Sequence, residues 1–332
     1  MKAILFDAPG DPDVLYMGKC PVPDPAADEL LVHVSATALN RADTMQRQGH
    51  YPPPPGASTV LGLEISGRVV AQGSACTGWS VGDPVMGLLA GGGYAEYAVL
   101  HHRLAMPIPT GLDVVEAAAI PEVFLTAYQA LFLLGGLKQE KRVLVHAGAS
   151  GVGTAAIQLA VHAGATVFVT ASASKHGTCR ALGAELAVDY RADDFLARIL
   201  ENTEGRGVDV IIDCVGGPYF ERNVRALAMD GTLVLIAMLG GSRVPDMDLR
   251  ALFRKRARVV ATTLRNRSVE YKIALAQKFA RTSLPLFDTG RLRPVIDSVY
   301  DWTDVAAAHQ RMEANENVGK ILLHVHCEAG RH

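Results

Sequence analysis

The stretch His146–Ala160, HAGASGVGTAAIQLA, has residue types and spacing suited to binding a dinucleotide. It follows the apolar run RVLV and opens a helical stretch, so its small residues fall where a buried strand turns into a helix. Read as G-x-G-x-x-G, the positions are Gly148, Ser150 and Gly153, with Gly151 an additional small residue. Gly148 would allow a tight turn, and Gly153 would let the helix press on the strand. The backbone N–H groups of Gly151 and Val152, backed by the positive end of the helix dipole, suit a diphosphate. Ser150 stands where the motif's middle glycine would be, and its hydroxyl is a donor for a phosphate or for the nicotinamide end. A structural strand-to-helix turn is the alternative; the five βα units that follow favour a nucleotide site.

An NAD-selective chain generally places an acid about 20 residues beyond the glycines, where it holds the ribose 2′-OH. Here that place reads VTASASK, with no Asp or Glu between Gly164 and Glu185. Ser172, Ser174, Lys175 and, farther on, Arg180 offer hydroxyls and cations, which would hold a 2′-phosphate by charge-assisted hydrogen bonds. The expected cofactor is therefore NADPH. Tyr190 and Arg191 follow the third strand and could close over the same phosphate, or form an ordinary surface pair.

These residues need a scaffold, and from Arg142 onward the sequence supplies one. The runs RVLVHAG, TVFVTAS, LAVDY, VDVIIDCVG, TLVLIAML and RVVATTL are rich in Val, Ile, Leu and Thr, as in strands buried on both faces. Helical stretches separate them, among them SKHGTCRALGAE, DDFLARILENTEG, YFERNVRALAMDG and DLRALFRKRA. The pattern predicts an α/β fold with a doubly wound, Rossmann-type parallel sheet. The turn Ala237–Gly241 ends the fifth strand, and its backbone at Met238 and Gly240 is placed to hold a carboxamide. The first 120 residues instead show short strands such as KAILFDA, ELLVHVSAT, DPVMGLL and GYAEYAVL between Gly, Pro and Asp turns, which predicts a mostly antiparallel domain. Pro121–Leu137 is predicted to be a bridging helix. The tail, with RPVIDSVYDW and KILLHV, is expected to return to the first domain.

A net charge of -2 and a pI near 6.6 give no basic stripe for nucleic acid or anionic lipid. No apolar run is read as long enough to span a bilayer, and Met1–Pro12 lacks a signal peptide's cationic start, so a cytoplasmic protein without a membrane partner is expected. Cys20, Cys76, Cys179, Cys214 and Cys327 are scattered and read as reduced thiols. The pairs His101-His102 and His324-x-His326 read as surface or strand-face residues, and no metal site is expected.

In order along nearly the whole chain, ALNRADTMQRQGHYPPPPG, LGLEISGRV, GDPVMGLLAGGGYAEY, AAAIPEVFLTAYQAL, HAGASGVGTAAIQLA, DCVGG and NENVGKILL resemble the zinc-free, zeta-crystallin-like quinone oxidoreductases of the medium-chain dehydrogenase/reductase superfamily. The resemblance implies a GroES-like β-barrel catalytic domain, residues 1–122 and 267–332, and an NADP-binding Rossmann domain, residues 123–266. Zinc relatives carry a Cys in the segment here reading ALNRAD and a His-Glu pair where this chain has Leu63-Glu64, so Asn40 and Leu63 stand where ligands would be. The resemblance also places Asn40 and Tyr51 near the nicotinamide as catalytic candidates, for orienting the ring or donating to a quinone oxygen. Helix capping by Asn40 and packing of Tyr51 on Pro52 are the alternatives. Thr126, the segment Leu264–Asn266 and Asn317 match cofactor-contacting positions. Glu64 is expected to pair with a basic residue rather than act as an acid. The implied activity is NADPH-dependent reduction of small quinones. Reduction of enones, or a non-catalytic crystallin-like role, is the alternative. In the family the last strand of the sheet, here RVVATTL, pairs with its copy across a two-fold axis, so a homodimer is expected.

Overall fold

The structure, a computed structural model, describes residues 1–326; the reading of Cys327 lies outside the described residues. The chain divides into two compact units, Met1–Leu125 with Arg265–His332, and Thr126–Leu264.

In the first unit β1 (Lys2–Leu5) and β2 (Tyr16–Lys19) form an antiparallel pair. The main sheet is organised on β3 (Glu29–Ala38), in which Leu30, Val32, Val34 and Ala36 alternate into the core. After α1 (Arg41–Arg47), β4 (Glu64–Gln72) pairs antiparallel with β3, and β5 (Pro84–Leu88) with β4. Gly67 of β4 is required by close approach, since a Cβ there would lie 2.1 Å from the His33 carbonyl oxygen. β6 (Tyr97–His101) lies along β3, and β7 (Met106–Pro107) along β5.

Next come α2 (Val114–Ala117) and α3 (Pro121–Tyr128). The expectation of a single helix to Leu137 is corrected, because Gln129–Leu134 winds as a π-helix and the chain then breaks at Gly135 and at Gly136, whose φ is 65°. The statement that no apolar run reaches bilayer length also needs correction. Val114–Leu134 spans 21 residues at mean hydropathy 1.5. It is 78% buried within the fold, as a core helix is, and composition alone does not separate the two cases.

The second unit alternates strands and helices: β8 (Arg142–Val145), α4 (Gly151–His162), β9 (Thr166–Ala171), α5 (His176–Ala181), β10 (Leu186–Asp189), α6 (Phe195–Asn202), β11 (Val208–Asp213), α7 (Gly217–Ala226), β12 (Leu227–Leu235), α8 (Arg250–Arg254) and β13 (Arg258–Ala261). All six strands run parallel in the order β10-β9-β8-β11-β12-β13. The order reverses between β8 and β11, which makes their carboxyl ends the switch point where ligands of such sheets bind. Leu144, Phe168, Ile211 and Leu233 from the strands pack with Phe195, Leu196 and Ile199 of α6. The expected helix through Gly231 ends at Ala226, and β12 begins at Leu227. Sheet pairing of Leu227 with Val208 and burial of Leu227 and Ala228 override the helical spacing there.

The chain then re-enters the first unit with α9 (Val269–Thr282), α10 (Pro285–Asp288), β14 (Ile296–Asp301), α11 (Val305–Glu313) and β15 (Lys320–His324). β15 pairs antiparallel with the end of β3, setting Leu322 opposite Ala38, and β14 lies parallel to β15.

Candidate active site

The turn between β8 and α4 is built for close approach. A Cβ at Gly153 would stand 2.3 Å from the Ala147 carbonyl oxygen, so only glycine lets α4 sit against the turn. Gly148 acts differently from the sequence expectation. Ala147, not Gly148, takes the left-handed conformation of the tight turn, with φ 53°, whereas a Cβ on Gly148 would strike Val169 of β9 at 2.6 Å. Ser150 is the N-cap of α4, its Oγ accepting from the Gly153 N–H at 3.0 Å, and its hydroxyl proton stays available to a ligand. The N–H groups of Gly151 and Val152 have no acceptor inside the helix, as at any helix start.

The other candidates of this unit follow strand ends on the same edge of the sheet. Ser172 precedes the short turn Ala173–Lys175 after β9 and Lys175 closes it, and Tyr190 follows β10, 44% exposed beside Arg191. Behind β11 and β12 two loops are joined by backbone bonds: the Leu239 N–H donates to Cys214 O at 2.9 Å and the Gly240 N–H to Val215 O at 2.8 Å. Asp213 holds the first loop, accepting from the Val215 and Gly216 N–H groups, and Asn223 joins it to His146. Met238 is thus exposed on a fixed loop. Thr126 and Leu264 are buried near the two ends of the unit.

In the first unit Asn40 occupies the N-cap of α1, but its amide turns inward. Its Nδ2 donates to Glu64 Oε1 at 2.9 Å and to Ala38 O at 3.2 Å, while its Oδ1 accepts from Lys320 Nζ at 2.8 Å. Both N–H bonds are spent, so donation from Asn40 to a quinone oxygen, one of its two expected roles, is corrected; its Oδ1 retains acceptor capacity. Lys320, 3% exposed, also lies 2.8 Å from Glu64 Oε1, and Glu64 Oε2 accepts from the Glu122 N–H at 2.7 Å. Glu64 is the paired structural acid that was expected. Tyr51 is half-buried with the Arg265 guanidinium 5.5 Å from its ring centroid; burial pushes its phenol pKa up while that cation draws it down. Asn317 donates to Gly319 O in the turn before β15.

Beneath this group lies Asp43, accepting from the Asn40 and Gly62 N–H groups, its pKa pushed up to about 6 by burial. Farther in, Arg47 pairs with Glu313 and donates to His309 Nδ1, which leaves the ring proton on Nε2 towards the Tyr94 hydroxyl. Burial lowers His309 to about 3. A folded pKa below the unfolded value means that the unfolded chain binds more protons as pH falls below about 6.5, so stability is lost on the acid side. Asp43 works in the opposite sense, gaining stability as pH falls through about 6. Urea unfolding between pH 7 and 4 should therefore show a shallower acid decline for His309→Gln than for the parent, by up to about 1.4 kcal/mol per pH unit. Equal slopes would remove His309 from the account.

Two family models match the chain: "Alcohol dehydrogenase GroES-like domain" over residues 26–110 and "Zinc-binding dehydrogenase" over residues 182–323. Over 315 residues it is 34% identical to the synaptic vesicle membrane protein VAT-1 homolog of Homo sapiens, covering 91% of this chain and 80% of that protein. The chain belongs to the medium-chain dehydrogenase/reductase family. Within this oxidoreductase family it falls in the zinc-free, zeta-crystallin-like quinone oxidoreductase branch. The solved quinone oxidoreductase of Coxiella burnetii is 32% identical with a TM-score of 0.82, over 98% of this chain and 99% of that one. The mycobacterial protein Rv1454c, solved in complex with NADPH, is 32% identical with a TM-score of 0.86, over 98% and 100%.

Although one family model is described as zinc-binding, the donor set here does not suit zinc. Leu63 has no donor atom, the Asn40 amide is engaged, and Lys320 already neutralises Glu64. Among the described residues no group of three or more His, Cys, Asp or Glu could hold a metal ion. His101 lies beside Asp28 and His326 beside Asp301.

Proposed function

We propose that the chain is an NADPH-dependent, zinc-independent reductase of small quinones. The observation that carries this reading is a Rossmann switch point whose second strand is followed by Ser172 and Lys175 with no acid, in a chain where Asn40 and Leu63 stand in place of zinc ligands. The NADPH complex of the mycobacterial relative and the similarity to the quinone oxidoreductase of Coxiella burnetii support it.

The residues fit that cofactor. The N–H groups of Gly151 and Val152 and the Ser150 hydroxyl would hold the diphosphate, and the Gly153 cradle excludes any side chain from its place. Ser172 and Lys175 would hold the 2′-phosphate with Tyr190 over it, and the backbone at Met238 and Gly240 would take the carboxamide. Thr126, Leu264 and Asn317 complete the proposed contacts. When bound, NADPH supplies the hydride, and a quinone is electrophilic enough to accept it without a Lewis acid. Tyr51 supplies a phenol to the reacting end, and Asn40, locked by Glu64 and Lys320, supplies a fixed amide oxygen.

Initial rates of NADPH consumption with ortho-quinones, para-quinones, enones and alcohols test the reading. Quinones are expected to be turned over fastest, with rates unchanged by exhaustive chelation. Enones turned over faster than every quinone would move the assignment to alkene reduction. Activity lost on chelation and restored by zinc would overturn metal independence.

We also propose a two-fold dimer through β13, the edge strand of its sheet, where Val259 is 39% exposed and nearby Phe253 81%. Sedimentation at micromolar concentration should give twice the 35.3 kDa chain mass, and Val260→Pro, which removes a strand N–H, should shift it towards one chain. A parent protein sedimenting near 35.3 kDa would contradict the dimer.

A further inference from the structure

Arg265 is a buried cation with an unfilled bonding position. It is 4% exposed, its Nε donates to Ala90 O at 2.8 Å and its Nη2 to Gln46 Oε1 at 2.7 Å. Gln46 is itself tied down by donating to Thr59 O at 2.9 Å, so the guanidinium is held in one orientation. Its Nη1 is buried with no hydrogen-bond partner, while the Asp43 and Glu122 carboxylates act on the side chain only through their charge. Leaving a buried charged donor unsatisfied costs on the order of 1–3 kcal/mol or more, a cost that a ligand oxygen at Nη1 would offset.

The occupied positions define what that oxygen belongs to. The Nε/Nη2 edge, with which arginine grips a carboxylate or phosphate through two parallel bonds, is filled by Ala90 and Gln46. The nitrogen left without a partner, Nη1, belongs to a guanidinium beside an aromatic face, since the Tyr51 ring centroid is 5.5 Å from the guanidinium carbon. A cationic donor next to a ring face suits an oxygen carried on a planar conjugated ring. We propose that Arg265 Nη1 binds the carbonyl oxygen of the acceptor and stabilises the negative charge that develops there as the hydride arrives at the conjugated carbon, with the acceptor ring alongside Tyr51. The proposal rests on the reductase reading above and names its substrate class: planar conjugated carbonyl compounds bound through one oxygen. Reduction balances as hydride to the acceptor carbon system and a solvent proton to the oxygen, with the nicotinamide oxidised. A fixed cationic donor in a water-poor site favours the charged oxygen of the transition state over the neutral ground-state carbonyl.

Two measurements test it. In the first, Arg265→Met is compared with the parent protein for 1,4-naphthoquinone reduction and for NADPH affinity by equilibrium titration. Loss of one such donor should lower kcat/KM about 100-fold. The NADPH dissociation constant should change far less than kcat/KM, because the proposed 2′-phosphate and diphosphate contacts lie on other residues, although Arg265 stands within the segment Leu264–Asn266 that matches cofactor-contacting positions. Millimolar guanidinium should restore part of the rate in the variant, which a merely structural role would not permit. An unchanged kcat/KM, or an NADPH affinity falling as far as kcat/KM, would overturn the proposal, the latter by assigning Arg265 to the cofactor. The second measurement needs neither turnover nor a folded variant, and so separates failure here from failure of the reductase reading. Equilibrium dialysis of the parent protein should show 4-nitrophenolate, an oxyanion on a planar ring, binding at least about tenfold tighter than 4-nitroanisole. Equal affinities would overturn the proposal even if quinone reduction is observed.

Discussion

Replacing Lys175 by Ala is expected to reduce the preference for NADPH over NADH by about 10- to 150-fold, the equivalent of roughly 1.5–3 kcal/mol for one charge-assisted hydrogen bond. The effect should fall on NADPH alone, because NADH has a 2′-OH where NADPH carries the phosphate. Lys175 closes the turn that follows β9, at the carboxyl edge of the sheet beside Ser172. No acid stands there to hold a 2′-OH in its place, so the variant should approach indifference between the cofactors rather than come to favour NADH. Fluorescence titration with both cofactors measures this. Discrimination equal to that of the parent would remove Lys175 from the 2′-phosphate site.

The largest effect on stability is expected at the other end of the chain. Lys320→Met would leave Glu64 fully buried opposite an uncharged neighbour, and removing one partner of a buried pair typically costs about 3–5 kcal/mol. The same change takes a donor from the Leu39 carbonyl and from Asn40 Oδ1. The double variant Lys320→Met/Glu64→Gln should recover much of the loss, since an amide still accepts from the Glu122 N–H without carrying charge. Urea denaturation of the parent, single and double variants at neutral pH gives the comparison. A single variant within about 1 kcal/mol of the parent would mean that the pair is relaxed by water and does not fix Asn40.

The two kinds of structure differ in how far they could be read from the sequence. The parallel strands were legible because runs such as VDVIID and TLVLIA are buried on both faces, and apolarity then needs no periodic pattern. The strand-to-helix turn at Ser150 was legible because its geometry is local: Gly153 and Ser150 are three residues apart and act on each other. Even there the local rule misassigned the left-handed residue, which is Ala147. The buried cluster of the first unit was not legible, because its members are brought together only by the sheet. Asn40 and Glu64 are 24 residues apart and Asn40 and Lys320 are 280 apart, joined because β15 docks on the end of β3. Arg265 stood out only as part of the segment Leu264–Asn266 that matches cofactor-contacting positions; an arginine after a strand is ordinarily exposed, and only its contacts with Gln46 and Ala90 show it to be held inside. The boundary of α7 failed for a related reason: Leu227 and Ala228 extend the helical spacing, and pairing with β11 decides their conformation.

Hydride transfer from NADPH without a metal is the central claim, and one rapid-mixing experiment reaches it directly. Protein shown by elemental analysis to contain no stoichiometric zinc is loaded with one equivalent of NADPH and mixed, without oxygen, with 1,4-naphthoquinone. The nicotinamide absorbance is expected to be lost in a single protein-dependent phase, with one quinone consumed per NADPH when reducing equivalents move in pairs, or two when they move singly. NADPH that remains reduced, or that is oxidised only after zinc is added, would contradict that claim.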